Sequence, residues 1–305
     1  MKKSIRIGTR DSELALWQAK TVQKKLEQLG HSTELVAVKS TGDLNLAQPL
    51  YEMGITGIFT KTLDIAMLAG KIDIAVHSMK DVPTSLPKGM VEAAILKRAS
   101  PKDILVHKGL AFLNTQGIIA SGSLRRKAQW LNKHPKHTVV DLRGNVNTRM
   151  QKLQDNNWNG AIFAEAGLDR ILLKPENFLV LDWMIPAPAQ GAMLVVAMEN
   201  DTYSRQALAS LNHKDTEICV QMERQFLKTL EGGCTAPIGA LATISENTIT
   251  FTGVLFSIDG VQKLEINKQI SISKVKDFGK LCAEEILNQG GAALMTEIKA
   301  EIGKE

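Results

Sequence analysis

Apolar and polar residues alternate from Ser4 to Arg10, the period of a half-buried strand, and the chain then changes rhythm. Asp11-Ser12-Glu13 supplies helix-starting side chains, and Leu14, Trp17, Val22, Leu26 and Leu29 recur near helical spacing until Gly30. Thr33 to Val38 predicts a second strand, and Phe59 to Leu68 a helix stopped near Gly70. Ile72 to Val76 predicts a short apolar strand running into His77-Ser78-Met79-Lys80-Asp81. Strand followed by helix, repeated, is the pattern of a parallel sheet.

The alternation restarts after Arg98, with strands predicted at Ile118 to Ala120, Thr138 to Leu142 and Ala161 to Phe163. Helices from Leu124 to Asn132 and from Asn145 to Leu153 separate them, so a second α/β unit is expected. Pro186-Ala187-Pro188, ahead of Gln190-Gly191-Ala192, suits a crossing between domains, and a hinge is expected close by. Asp215 to Leu230 predicts a helix, followed by Gly232-Gly233. Ile238 to Ile272 alternates with period two, broken at Ser257-Ile258-Asp259-Gly260, and helical segments from Val275 to Lys299 close the chain. This third unit is expected to be α+β, an antiparallel sheet with helices on one face.

At 305 residues the chain exceeds one ordinary domain, which agrees with two or three units each burying its own core. A hydrophobic share of 44% with 23% charged residues, and no low-complexity tract, places it among globular proteins. Met1-Lys2-Lys3 leads into no apolar core of a signal peptide, and no stretch is long enough for a membrane span. Cys219, Cys234 and Cys282 are an odd number without metal-ligand spacing. Neither a disulfide framework nor a metal site is expected, and a reducing cytoplasm fits. The net charge of +5 is too small by itself to point to nucleic acid, though it permits a local cationic site.

The placement of arginine is more informative. Of ten arginines, Arg6, Arg10, Arg125, Arg126, Arg143, Arg149 and Arg170 fall in or beside strand-to-helix connections, which line the ligand crevice of open α/β sheets. Guanidinium binds carboxylate or phosphate with a planar fork and keeps its charge at any working pH. A shared polyanion site is one reading, and scattered surface ion pairs are the other. Ser121-Gly122-Ser123 precedes the helix of Arg125 and Arg126, where it either caps the helix or meets an anion at the positive end of its dipole. No Walker or dinucleotide fingerprint accompanies it.

Asp81 follows an apolar strand, where it either caps a turn or faces the crevice, with Pro83 holding Val82 extended. His77 lacks His or Cys at metal spacing and reads as a packed or hydrogen-bonded histidine. Cys219 and Cys282 fall in helices and read as inert small hydrophobes, whereas Cys234, after Gly232-Gly233, is a candidate for covalent attachment.

These residues lie in a run of longer motifs. They include Gly8-Thr9-Arg10-Asp11-Ser12-Glu13-Leu14-Ala15-Leu16-Trp17-Gln18-Ala19 and Ala75-Val76-His77-Ser78-Met79-Lys80-Asp81-Val82-Pro83. Ser123-Leu124-Arg125-Arg126, Leu142-Arg143-Gly144-Asn145-Val146-Asn147-Thr148-Arg149 and Ala166-Gly167-Leu168-Asp169-Arg170 follow, then Gln190-Gly191-Ala192 and Leu230-Glu231-Gly232-Gly233-Cys234. In this order they resemble the porphobilinogen deaminase (hydroxymethylbilane synthase) family over about the first four-fifths of the chain.

The resemblance implies two doubly wound, periplasmic-binding-protein-like α/β domains with a hinge, plus a small α+β C-terminal domain. It divides the chain into domain 1 (residues 1–96 and 190–211), domain 2 (97–189) and domain 3 (212–305). It implies a transferase that condenses four porphobilinogen molecules, with loss of ammonia, into hydroxymethylbilane. The primer is a dipyrromethane cofactor, held as a thioether on the residue matching Cys234. Asp81 matches the catalytic carboxylate; Lys80, Ser123, Arg125, Arg126 and Arg143 match cofactor contacts, as Asp81 also does. Arg10, Ser12, Arg149, Arg170 and Gln190 match substrate contacts. A cytoplasmic monomer that binds neither membrane nor nucleic acid is expected. Two departures stand out: Gly54-Ile55-Thr56-Gly57 replaces a lysine-bearing glycine loop, and Gly122 stands where many members carry serine.

Two rivals make different demands. A solute-binding protein of similar architecture would bind an anion without needing Asp81 or the Cys234 thiol. A nucleic-acid-binding protein would need aromatic residues among the arginines, where they are sparse.

Overall fold

In the computed structural model, which describes residues 4–38, 60–230 and 236–302, the amino-terminal strand forms as β1 (Ile5–Thr9). Ser12 then starts α1 (Glu13–Gln28), its hydroxyl accepting the Ala15 amide at 3.4 Å. The helix turns a different stripe inward than its largest side chains predict. Ala15, Gln18, Ala19, Val22 and Leu26 are buried, whereas Trp17 and Leu29 are exposed. Small residues let the helix axis approach the sheet, and the bulky ones are left on its flanks.

The strands continue in chain order as β2 (Thr33–Ala37), β3 (Ile74–Ser78), β4 (Met90–Ile95), β5 (Asp103–His107), β6 (Ile118–Ala120), β7 (Thr138–Val140), β8 (Gly160–Ala164), β9 (Phe178–Val180) and β10 (Met193–Met198). Between them run α2 (Lys61–Leu68), α3 (Leu124–Lys133), α4 (Val146–Asp155) and α5 (Glu165–Arg170). They build two sheets of one topology, ordered β2-β1-β3-β10-β4 and β7-β6-β8-β5-β9. The first three strands of each order are parallel, and the fourth runs antiparallel to both its neighbours.

The parallel pairing expected from the β-then-α rhythm holds for three strands of each sheet, and the one antiparallel strand makes each sheet mixed. Neither β5 nor β10 closes a strand–helix–strand crossover, so the rule that makes such neighbours parallel does not act on them. Both strands are buried along nearly their whole length, as central strands must be, and a continuous apolar run carries no period that announces it. The architecture remains one of two α/β sheets of the same topology, with a small α+β domain following.

Before that last domain, α6 (Thr202–Ala209) packs Ala207 and Leu208 into the core of the first sheet, and α7 (Lys214–Thr229) follows it in the chain. The domain pairs β11 (Ile238–Ser245), β12 (Thr248–Phe256) and β13 (Lys263–Ser271) in antiparallel order, followed by α8 (Phe278–Ile286) and α9 (Ala292–Ile302). The break predicted at 257–260 is present, and a second hairpin turns at Glu246, whose backbone is left-handed. Phe226 and Phe251 meet edge to face at 5.3 Å inside its core.

The described residues fall into two compact units: 4–38, 60–99 and 191–217 in the first, and 100–190, 218–230 and 236–302 in the second. The second unit thus combines the β7-β6-β8-β5-β9 sheet with the antiparallel one. Ala128 of α3 packs on Val254 and Phe256 of β12, and the Asn132 amide donates to the Gly260 carbonyl at 2.8 Å. The buried Glu223 carboxylate of α7 accepts the Ala189 amide at 2.7 Å and the Ala242 amide at 2.8 Å. It thereby fixes the segment by which the chain leaves this unit.

Candidate active site

In a sheet of this topology the parallel strands end at one edge, and an antiparallel strand begins at that same edge. In the first unit β1 and β3 are adjacent and parallel, with Gly8 level with Ala75. Arg10 and Ser12 therefore follow β1 at the edge where β3 delivers His77, Lys80 and Asp81. The strand β10, paired Met193 to Ser78, brings Gly191 and Ala192 to the same place.

Asp81 ends a short 3-10 turn, Met79–Asp81, that is tied down on all sides. The Met79 amide donates to the Ala192 carbonyl at 3.0 Å, the Val82 amide closes on the Met79 carbonyl at 3.1 Å, and Gln18 Nε2 donates to Ser78 Oγ at 2.8 Å. Met79 is buried under the turn, while Lys80 and Asp81 are half-buried. His77 is buried, and among the described residues its Nε2 has no hydrogen-bond partner. Burial, helped by the charge of Arg10, drives its pKa down to about 4, so the ring is neutral near pH 7.

In the second unit β6, β7 and β8 are parallel and end together. After β6, the Ser123 backbone sits at the N-cap of α3 but its side chain makes no capping hydrogen bond. The bland reading of that serine as a side-chain cap is not realised. After β7 comes Arg143, buried, with Asn145 capping α4 through the Thr148 amide at 2.9 Å and Arg149 half-buried one turn further on. Burial lowers the Arg143 pKa against the opposing pull of Asp141. After β8, Arg170 ends α5, and burial pushes its guanidinium down to about 10.

At the centre of this edge lies a residue that sequence reasoning passed over. Asp103 opens β5, level with Ala164 at the end of β8, and is fully buried. Its Oδ1 accepts Arg126 Nε at 3.0 Å, Arg126 Nη2 at 2.7 Å and Gln190 Nε2 at 2.9 Å. Its Oδ2 pairs with Arg125 Nη1 at 2.8 Å. Arg126 Nη1 donates to the Ile162 carbonyl at 2.9 Å, and Arg125 Nη1 to the Ile185 carbonyl at 2.8 Å. The only hint in the sequence was a charge heading the apolar run Ile104-Leu105-Val106.

The second unit thus holds two buried guanidiniums on one carboxylate, a surplus of positive charge. Arg125 Nε is buried with no hydrogen-bond partner among the described residues. A buried donor in this state is costly unless an acceptor arrives. Together with the Ser123 hydroxyl, which makes no capping hydrogen bond at the helix amino end, it fits a polycarboxylate. Arg6, counted above with the site arginines, is instead spoken for. It forks onto Asp73 at 3.0 and 2.9 Å and donates to the Gly70 carbonyl at 2.7 Å. Cys219 and Cys282 are buried, and burial raises the Cys282 thiol to about 11. Cys234 and Gly54-Ile55-Thr56-Gly57 lie outside the described residues.

Residues 5–206 match the family model described as "Porphobilinogen deaminase, dipyromethane cofactor binding domain", and residues 217–288 match "Porphobilinogen deaminase, C-terminal domain". A porphobilinogen deaminase of Geobacter metallireducens is 39% identical over 310 residues, covering 99% of this chain and 98% of that protein. Those of Trichlorobacter lovleyi and Desulfitobacterium hafniense are each 40% identical, covering 97% and 99% of this chain and of the relative respectively. Among solved structures, the periplasmic VFT2 domain of Bordetella pertussis BvgS is 10% identical with a TM-score of 0.41, covering 68% of this chain and 86% of that one.

Two outcomes follow from this geometry. The folded state keeps His77 neutral down to about pH 4, while an unfolded histidine takes its proton near 6.5. Stability is therefore lost as pH falls between those values, by up to roughly 1.4 kcal/mol per pH unit. Urea midpoints of wild type should drop more steeply over this window than those of His77→Asn; parallel curves would contradict it. At Gly122 an added Cβ would lie 2.4 Å from the Leu142 carbonyl oxygen, so the two loops that carry Arg125 and Arg143 touch there. Gly122→Ser, the residue many relatives are expected to have, should cost about 1–3 kcal/mol of stability here. An unchanged melting temperature would refute that contact.

Proposed function

The chain belongs to the porphobilinogen deaminase family, and from that premise we propose which of its residues do the work. The reaction is the family's: four porphobilinogen molecules are condensed stepwise on a dipyrromethane primer, with loss of ammonia, to give hydroxymethylbilane for tetrapyrrole synthesis. The primer, when bound, supplies the pyrrole end that each monomer joins.

Asp81 is the catalytic residue. Its carboxyl group, when protonated, gives its proton to the departing amine; the carboxylate left behind faces the positive charge that develops on the pyrrole ring and regains a proton when the coupled pyrrole carbon loses its hydrogen. A fixed anion in a site of low dielectric stabilises such charge with little reorganisation. What supports the assignment is the tethering of the Met79–Asp81 turn, which leaves Asp81 half-buried and its backbone fixed.

Arg125 and Arg143, with Ser123, Lys80 and Asp81, hold the cofactor, Arg126 adds its charge from within the Asp103 ion pair, and Cys234 carries the cofactor as a thioether. Arg10, Ser12, Arg149 and Arg170 take the carboxylates of incoming substrate, with Gln190 acting from behind through Asp103. The observation that carries this reading is the surplus of buried guanidinium in the second unit, which an acidic pyrrole chain neutralises. The division into domains 1–96 with 190–211, 97–189 and 212–305 belongs to the same proposal, as do a cytoplasmic location, a monomeric state and the absence of a nucleic-acid partner. Among the described residues no helix is long and apolar enough to cross a membrane. The solute-binding alternative is not favoured, since the curated relatives across nearly the whole chain are porphobilinogen deaminases.

Intact-mass spectra of the denatured protein test the assignment. Wild type and Asp81→Asn should both carry the added mass of two linked pyrrole units, and Cys234→Ala should not. Asp81→Asn should keep its fold and lose turnover by about a thousandfold or more, the upper range for a general acid. An unmodified wild-type chain after incubation with porphobilinogen would defeat the cysteine assignment, and a near-normal Asp81→Asn rate the catalytic one.

A further inference from the structure

We infer that Asp103 is a positioning residue for cofactor binding: it holds Arg126 as an internal cation and turns Arg125 so that its Nε stays open to a ligand carboxylate. The inference rests on the reading just given and adds a division of labour to it.

The hydrogen-bond inventory of the two arginines carries the argument. A guanidinium has five N–H bonds. Arg126 places Nε and Nη2 on Asp103 and Nη1 on the Ile162 carbonyl, so each of its three nitrogens already has a protein acceptor. Arg125 is held through Nη1 alone, by a hydrogen bond to the Ile185 carbonyl and an ion pair with Asp103 Oδ2, and its buried Nε has no acceptor among the described residues. The neighbouring pair therefore differs in kind. One fork faces into the protein, and the other is fixed at one nitrogen and unfilled at another.

Asp103 itself is held in turn. Gln190 Nε2 bridges its Oδ1, at 2.9 Å, to the Pro101 carbonyl, at 2.7 Å. Gln129 grips Ile185 from both sides, accepting its amide at 2.8 Å and donating to its carbonyl at 2.9 Å. The acceptor carbonyl of Arg125 is thus as constrained as its carboxylate. All of these side chains are nine-tenths or more buried, so the arrangement exists before any ligand arrives.

A purely electrostatic role for Asp103 makes the opposite prediction. If it only damped positive charge, removing it would strengthen the attraction for an acidic pyrrole chain. If it orients Arg125, removing it weakens capture although the local charge becomes more positive.

The test follows cofactor loading of protein made without porphobilinogen, using intact mass at intervals after adding porphobilinogen itself. Wild type must gain two pyrrole units; its failure would defeat the family-based assignment rather than this one. Asp103→Asn should load about tenfold more slowly, the order expected when the ion pair that orients Arg125 is lost. Loading as fast as wild type, or faster, overturns the inference. Since Asp103→Asn leaves two buried cations uncompensated, Asp103→Asn with Arg126→Gln removes the charged pair together and guards against a variant that fails to fold. The double variant should melt cooperatively, load about tenfold more slowly as well, and keep the wild-type dependence of loading on salt. Loading within about threefold of wild type would reduce the pair to a support of the fold. A shallower salt dependence would make Arg126 a direct ligand, and either result overturns the division of labour.

Discussion

Burying guanidinium charge is the constraint around which the second unit is arranged. Arg125, Arg126 and Arg143 are each less than a tenth exposed. Removing such an ion from water costs several kcal/mol even after relaxation, and one carboxylate can offset only part of that for two arginines. The backbone carbonyls of Ile162 and Ile185 take up further N–H groups without cancelling the net charge. A protein that only needed to fold would do better with apolar side chains here. The arrangement makes sense as a standing demand for negative charge, which on the proposed reading a chain of pyrroles bearing acetate and propionate groups supplies.

The sheets explain how that demand is localised. Parallel strands deliver their following loops to one edge, and the single antiparallel strand of each sheet delivers its beginning to that edge as well. This is why Asp103, the first residue of β5, lies among loops that follow β6 and β8. The same rule brings Gly191 and Ala192 ahead of β10 to the turn that ends in Asp81, where the Ala192 carbonyl accepts the Met79 amide. One topology, used twice, fixes a carboxylate in the first unit and cations in the second.

Much of this was legible in the residues. The strand at Ser4 to Arg10, the cap at Ser12, the helix of Arg125 and Arg126 and the period-two strands of the last domain follow local patterns that tertiary contacts reinforce. The antiparallel strands escaped because Ile104-Leu105-Val106 and Leu194-Val195-Val196 are apolar on both faces and have no period. Trp17 and Leu29 misled because size is not burial: Ala15 and Ala19 take the inner face of α1. Arg6, Arg125 and Arg126 look alike in the sequence, and only the positions of Asp73, 67 residues from Arg6, and of Asp103, 23 residues from Arg126, show that each is already ion-paired. Charge placement was readable, but which charge was already matched was not.

The central claim is that the cofactor's carboxylates complete the charge balance of buried arginines. It is tested most directly by the thermal melting of the cofactor-free protein before and after loading with porphobilinogen. The account predicts that loading raises the melting temperature by several degrees, about what a gain of a few kcal/mol produces in a chain of this size. It further predicts that substituting Arg125 by methionine removes most of that rise. Identical melting of the free and loaded wild-type protein would contradict it.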